Sequence, residues 1–170
     1  MDRTELEREL ERLHADSWGW ALACTGRDRA LAEDALQNAY LRVLSGRVRF
    51  EGRSRFRSWL FGVIRMTALE ELRRSNRWSA RVADAGVADA ADPSPRADAT
   101  VEENERAAAL VTAMRALSAR QREVLQLVFY HGMTIEEAAD VMRISLGSAR
   151  THYHRAKKAL AEQFNHVDVG

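Results

Sequence analysis

MTIEEAADVMRISLGSARTHYHRAKK, residues 133 to 158, carries two apolar stripes of helical period separated by a short break. Ile135, Ala138, Ala139 and Met142 form the first stripe, and Ala149, Tyr153, Ala156 and Leu160 the second, with Arg143-Ile144-Ser145 between them. The spacing predicts a helix, a tight turn and a helix. Thr134 stands where it caps the first helix, and Glu137, three residues on, reaches back to the free amide at the cap. The second segment carries Arg143, Arg150, Arg155, Lys157 and Lys158, and no acidic residue falls between Arg143 and Leu160. A basic second helix behind a first helix of small residues suits a major groove lined by phosphates.

The chain around this stretch has 170 residues, enough for one medium domain or two small ones. Its hydrophobic fraction of 46% supports packed cores, and with only two prolines and nine glycines long stretches are free to be helical. Alternating runs are absent, so an all-α protein is expected. The net charge of +1 rules out a polycation along the whole length and places the information in where the charges sit. The lone cysteine, Cys24, has no partner for an intramolecular disulfide and falls on the apolar side of its helix, which predicts a core thiol. The first residues, MDRTELERELERL, lack an apolar signal segment, and no later stretch is apolar long enough to span a bilayer. A cytoplasmic protein without membrane insertion is expected.

Upstream, Thr4 with Glu7 reads as a capping box, and Leu6, Leu10, Leu13, Ser17, Ala21 and Cys24 predict one helix to about Thr25. Asp28 caps the next, whose stripe Leu31, Ala35, Leu36, Ala39, Tyr40, Val43 and Leu44 ends before Gly46; its opposite face offers Glu33, Asp34, Gln37, Asn38 and Arg42. From Arg47 to Trp78, nine arginines oppose three acids, a net +6, and aromatics interleave with them. Trp59, Leu60, Val63, Ile64, Ala68 and Leu72 trace a core face, whereas the turn from Arg49 to Phe56 reads as a stacking platform for unpaired bases with a phosphate-binding rim.

Residues 79–104 hold six acids and two arginines, net −4, and both prolines, and predict a flexible acidic linker averaging roughly 30 Å end to end. Beyond it, Ala107, Leu110, Val111, Met114 and Leu117 predict one helix, and Ser118 with Gln121 starts another, lined by Val124, Leu125, Val128 and Phe129 and closed by Gly132. The expected architecture is therefore two small helical domains, 1–78 and 105–170, joined by the linker 79–104, the second a four-helix domain with a helix-turn-helix.

Three stretches, in order, resemble the bacterial sigma factors of the sigma-70 family, specifically the small extracytoplasmic-function (ECF) group. They are AEDALQNAYLRV at Ala32 to Val43, FEGRSRFRSWLFGVIRMTALEELRR at Phe50 to Arg74, and LSARQREVLQLVFYHGMTIEEAADVMRISLGSARTHYHRAKKAL at Leu117 to Leu160. The resemblance implies a protein without catalysis that binds core RNA polymerase, reads promoter DNA at the −35 and −10 elements, helps open the strands, and is held in check by an anti-sigma factor. It implies that Asp34, Gln37 and Asn38 face the polymerase, although many members have glutamate where Asn38 stands. Phe50, Arg53, Arg55, Phe56, Arg57 and Trp59 would engage the melted −10 strand, and Met66 replaces the family's usual asparagine. Ser148, Arg150, Thr151, His154, Arg155 and Lys158 would meet the −35 element, with Gly147-Ser148-Ala149 in place of the usual Gly-Thr-Val.

His152 and His154 depart from the commoner arginine and aromatic residues, and their rings leave the helix on different sides, so no metal or cofactor is expected there. An autonomous helix-turn-helix regulator binding an operator as a dimer would use Ala107 to Leu160 and leave the Arg/Trp segment idle. An enzyme finds little support, since the five histidines are scattered and no phosphate-binding glycine loop is present.

Overall fold

The computed structural model describes residues 1–83 and 100–167, with side chains for 1–77 and 100–165. Eight α-helices and one π-helical turn, with no strand, make up the described residues: α1 (Arg3–Arg12), α2 (His14–Cys24), α3 (Arg29–Leu44), α4 (Phe56–Ala83), α5 (Val101–Ala116), α6 (Ala119–Leu125), the π turn (Gln126–Tyr130), α7 (Ile135–Met142) and α8 (Leu146–Val167). The all-α expectation holds. The expected first helix is instead two: Leu13, buried at a φ of −94° and ψ of 2°, turns the chain so that Leu10 on α1 and Trp20 and Ala21 on α2 reach one core. Its capping box is formed by Asp2 and Glu5 rather than Thr4 and Glu7. The caps expected at Asp28, Ser118 and Thr134 form, the last two as reciprocal boxes with Gln121 and Glu137.

Both ends of the segment read as linker are helical. α4 continues through 79–83, and α5 starts at Val101 behind a Thr100–Glu103 capping box; the remaining stretch, 84–99, lies outside the described residues. The expected face of α5 is only partly buried, since Ala113 and Leu117 pack while Ala107, Leu110 and Val111 are exposed. After Leu125 the π turn adds a residue to the helical repeat, which brings Leu127 into the core and turns Phe129 outward, 67% exposed, against the expectation that Phe129 lines that core. Gly132 then leaves the turn at a φ of +63°, a conformation that costs a glycine little.

The largest hydrophobic cluster does not respect the division into two modules. Trp20 of α2 and Phe61 of α4, both fully buried and stacked with centroids 5.8 Å apart, pack in one cluster with Leu127, Met133, Ala138, Val141 and Met142. Small residues let the backbones approach: a Cβ placed on Gly62 would lie 4.0 Å from the carbonyl oxygen of Val141, and one on Gly19 would lie 3.6 Å from the Tyr130 ring. A second, smaller cluster of Leu117, Leu125 and Ala156 holds α8 against α6.

Candidate nucleic-acid interface

The turn before α8 is built by two local devices. Arg143 ends α7 in the left-handed region at a φ of 55°, and Ser145 accepts the backbone N–H of Ser148 at 3.1 Å, capping α8. Ala149 and Ala156 are fully buried and Tyr153 is half-buried, so the helix turns its other side out. Ser148, Arg150, Thr151, His154, Arg155 and Lys158 are all exposed there, as one face. Thr151 spends its hydroxyl on the carbonyl of Gly147 at 3.0 Å, and Lys157 lies 5.1 Å above the Tyr153 ring. No ion pair among the described residues engages Arg150, Arg155 or Lys158. A cationic face of this kind is left to an external anion, and an exposed arginine within it has the fork geometry to meet a guanine edge.

The Arg/aromatic segment is less open than its composition predicts. Phe50, Phe56 and Trp59 pack edge to face or tilted with centroids 5.3 to 5.4 Å apart, and Phe56 is buried. Phe56 therefore serves as the floor of an aromatic cluster, and only the half-buried Phe50 and Trp59 have ring surface to offer a base. Met66, at the surface, lines a cleft with Trp59, Val63, Arg42, Arg49 and Arg143. Arg53 is exposed and pairs with Glu51 at 2.8 Å, a contact of small net energy in water. Arg55 lies 3.5 Å from Glu137 of α7. Arg57 points elsewhere: it pairs with Asp16 at 3.2 Å and donates to the backbone carbonyl of His131 at 2.6 Å.

On α3, Asp34 and Gln37 are exposed, whereas Asn38 is half-buried and donates from its amide to Glu71 on α4 at 2.7 Å. Arg42 pairs with Glu70, and that hydrogen bond holds the Glu70 carboxyl below the usual range. These ties brace the helix on α4. Leu41, one turn beyond Gln37 and 63% exposed, extends the face with an apolar surface that the charge pattern did not reveal.

His131 was also invisible to sequence reasoning. It is 4% exposed, edge-on to Trp20 and Phe61, and neither ring nitrogen has a hydrogen-bond partner among the described residues. Burial, with the Arg57 guanidinium alongside, pushes its pKa down to about 4 although Asp16 opposes the shift, so the ring is neutral near pH 7. Burial likewise raises the Cys24 thiol, keeping it protonated and unreactive. No cluster of metal-ligating side chains occurs among the described residues, and no helix among them is long and apolar enough to cross a membrane.

Sequence comparison matches residues 10–78 to Sigma-70 region 2 and residues 107–160 to Sigma-70, region 4. The chain is 31% identical over 137 residues to the ECF RNA polymerase sigma factor SigX of Bacillus subtilis (strain 168), covering 79% of this chain and 71% of that protein. To the RNA polymerase sigma factor CarQ of Myxococcus xanthus it is 30% identical over 162 residues, covering 95% and 90% respectively. In fold it is similar to the sigma factor RpoE in complex with the anti-sigma factor NepR from Bartonella quintana, with a TM-score of 0.74 over 95% of this chain and 97% of that one at 22% identity. It is similar also to CnrH in complex with the cytosolic domain of CnrY, with a TM-score of 0.62 over 96% and 90% at 20% identity. The exposed cationic helix at one end and the braced Arg/aromatic segment at the other thus lie in two matched regions, and the chain belongs to the ECF sigma factors of the sigma-70 family, alternative sigma factors that direct promoter-specific transcription.

Proposed function

We propose that this chain completes core RNA polymerase by docking the α3 face of Asp34, Gln37 and Asn38 on it, reads the −35 element through α8, and helps open the −10 element through Phe50 to Met66. The exposed cationic face of α8, with Arg150, Arg155 and Lys158 in no ion pair among the described residues, is the observation that carries this reading. Arg150, Thr151, His154 and Arg155 are assigned to base edges, with Ser148 and Lys158 at the margins of the contact. Phe50 and Trp59 stack on unpaired bases, Phe56 supports them from below, Arg53, Arg55 and Arg57 neutralise phosphates, and Met66 replaces a polar contact with an apolar one. The chain itself performs no catalysis, since bond making belongs to the polymerase. Among the solved structures of similar fold, one is a sigma factor in complex with an anti-sigma factor and another is CnrH in complex with the cytosolic domain of CnrY, and control of this chain by an anti-sigma protein is part of the same reading.

An autonomous operator-binding regulator leaves the region 2 match at residues 10–78 without a role. Mixing the purified chain with sigma-free bacterial core polymerase tests the choice. A stable complex that elutes together is expected, and a chain that stays separate from core yet protects a palindromic site alone contradicts the proposal.

A further inference from the structure

Arg143 stands at a backbone position that disfavours it. It ends α7 at a φ of 55° and a ψ of 45°, a left-handed conformation that glycine or asparagine adopts with little strain and an arginine does not. Strain of this kind persists where the surroundings hold it, and it collects at ligand sites. Neither the −35 face nor the −10 segment uses this side chain. It lines instead the cleft of about 260 Å³ that it shares with Met66, the apolar residue that replaces the family's usual asparagine.

The cleft joins two chemistries. Its charged part is Arg42, Arg49 and Arg143, and no acidic residue lines it. Arg42 is paired with Glu70, whereas Arg49 and Arg143 enter no ion pair among the described residues, which leaves their two guanidinium groups for an external anion. The backbone N–H of Val48 donates to the carbonyl of Arg42 at 3.2 Å and so brings Arg49 back beside the end of α3. The other part is an apolar wall of Trp59, Val63 and Met66. Trp59 already rests on Phe50 and Phe56, with centroids 5.4 Å apart, so its ring can receive another ring without first being ordered. The Met66 thioether favours an aromatic neighbour and offers no strong hydrogen bond to select among bases.

A volume of about 260 Å³ is small for a ligand site and suits one ring system whose charged tail rests on the rim. We infer that the cleft binds a free nucleoside di- or triphosphate, its base stacked on Trp59 against Val63 and Met66 and its phosphates held by Arg49 and Arg143. Two guanidinium groups call for a multiply charged anion, and the apolar wall calls for a ring, so neither a nucleoside nor a bare phosphate satisfies the whole site. An occupied cleft covers Trp59 and Met66, and the nucleotide therefore competes with an unpaired −10 strand. Only this last consequence rests on the proposed function.

Titration calorimetry on the full chain, without polymerase, tests the site with ATP, GTP, adenosine and inorganic triphosphate. ATP and GTP are expected to bind one per chain in the micromolar range, and adenosine and inorganic triphosphate about tenfold more weakly. Arg143→Gly removes the guanidinium and relieves the left-handed backbone, so Tm is expected to hold or rise while ATP binding falls about tenfold. Trp59→Leu is expected to weaken ATP binding and to leave that of inorganic triphosphate within twofold, which separates loss of the stacking ring from misfolding. Equal binding of inorganic triphosphate and ATP, unchanged ATP binding in Arg143→Gly, or binding of mixed-sequence single-stranded DNA without any binding of free nucleotides overturns the inference. Failure of the chain to bind core polymerase counts against the proposed function instead, because these titrations contain no polymerase.

Discussion

Arg57 donates through a terminal guanidinium nitrogen to the backbone carbonyl of His131 at 2.6 Å, joining residues 74 positions apart and belonging to different modules. The same side chain pairs with Asp16 and lies 5.5 Å over the Phe61 ring. A residue expected to track DNA phosphates is thus also a tie between the two modules. Arg57→Ala is expected to lower promoter opening about tenfold, read as permanganate reactivity of unpaired thymines, while the affinity of the free chain for a −35 duplex stays within twofold. Loss of both signals together would show that the variant acts by unfolding.

His131 gives the folded chain a pH dependence of defined sign. Its pKa is depressed in the folded chain to about 4 from an ordinary value of 6.5. Above 6.5 the ring is neutral in folded and unfolded states alike, and its contribution is fully present. As pH falls from 6.5 toward 4 the unfolded state takes up the proton first, so stability falls by up to about 1.4 kcal/mol per pH unit. The groups facing the ring are Arg57, which disfavours protonation, and Asp16, which favours it. Calorimetry is expected to show Tm falling between pH 7 and 5, with His131→Gln flattening the profile across that interval.

At the reading helix, Arg150→Ala is expected to cost about 1 to 3 kcal/mol at one base position of the −35 element, and Lys158→Ala to weaken all sequences alike and reduce the salt slope by about one. Binding measured on a panel of single-base −35 variants separates the two patterns.

Asn38 stands where many family members carry glutamate, and the structure supplies a reason. Its amide donates to Glu71, itself only 6% exposed and paired with Arg74. A carboxylate placed there would face another at hydrogen-bond distance. Asn38→Glu is expected to destabilise the chain by about 1 to 2 kcal/mol, a fall in Tm of a few degrees by calorimetry.

Features legible in the sequence were the local ones. Capping boxes act over three residues, and the caps at Asp28, Ser118 and Thr134 form where the spacing puts them. Even so, Thr4 and Glu7 lost to the equally spaced Asp2 and Glu5, because two overlapping patterns of one kind carry no ranking. The outward turn of Phe129 was hidden because a π turn shifts the register that a 3.6-residue period assumes. The six residues proposed for the −35 element came from the resemblance to the sigma-70 family, and they share one exposed surface. What stayed out of reach is the contact between the two modules: Arg65 and Glu123 are 58 positions apart, and neither periodicity nor composition pairs charges at such a separation.

Transcription by core polymerase from a library of bacterial promoter sequences, with and without the full chain, tests the central claim most directly. Initiation only in the presence of the chain, at promoters sharing one −35 and one −10 sequence and lost at specific −35 variants with Arg150→Ala, is the expected result. No initiation above that of core alone, with the chain instead protecting a palindromic operator by itself, would contradict it.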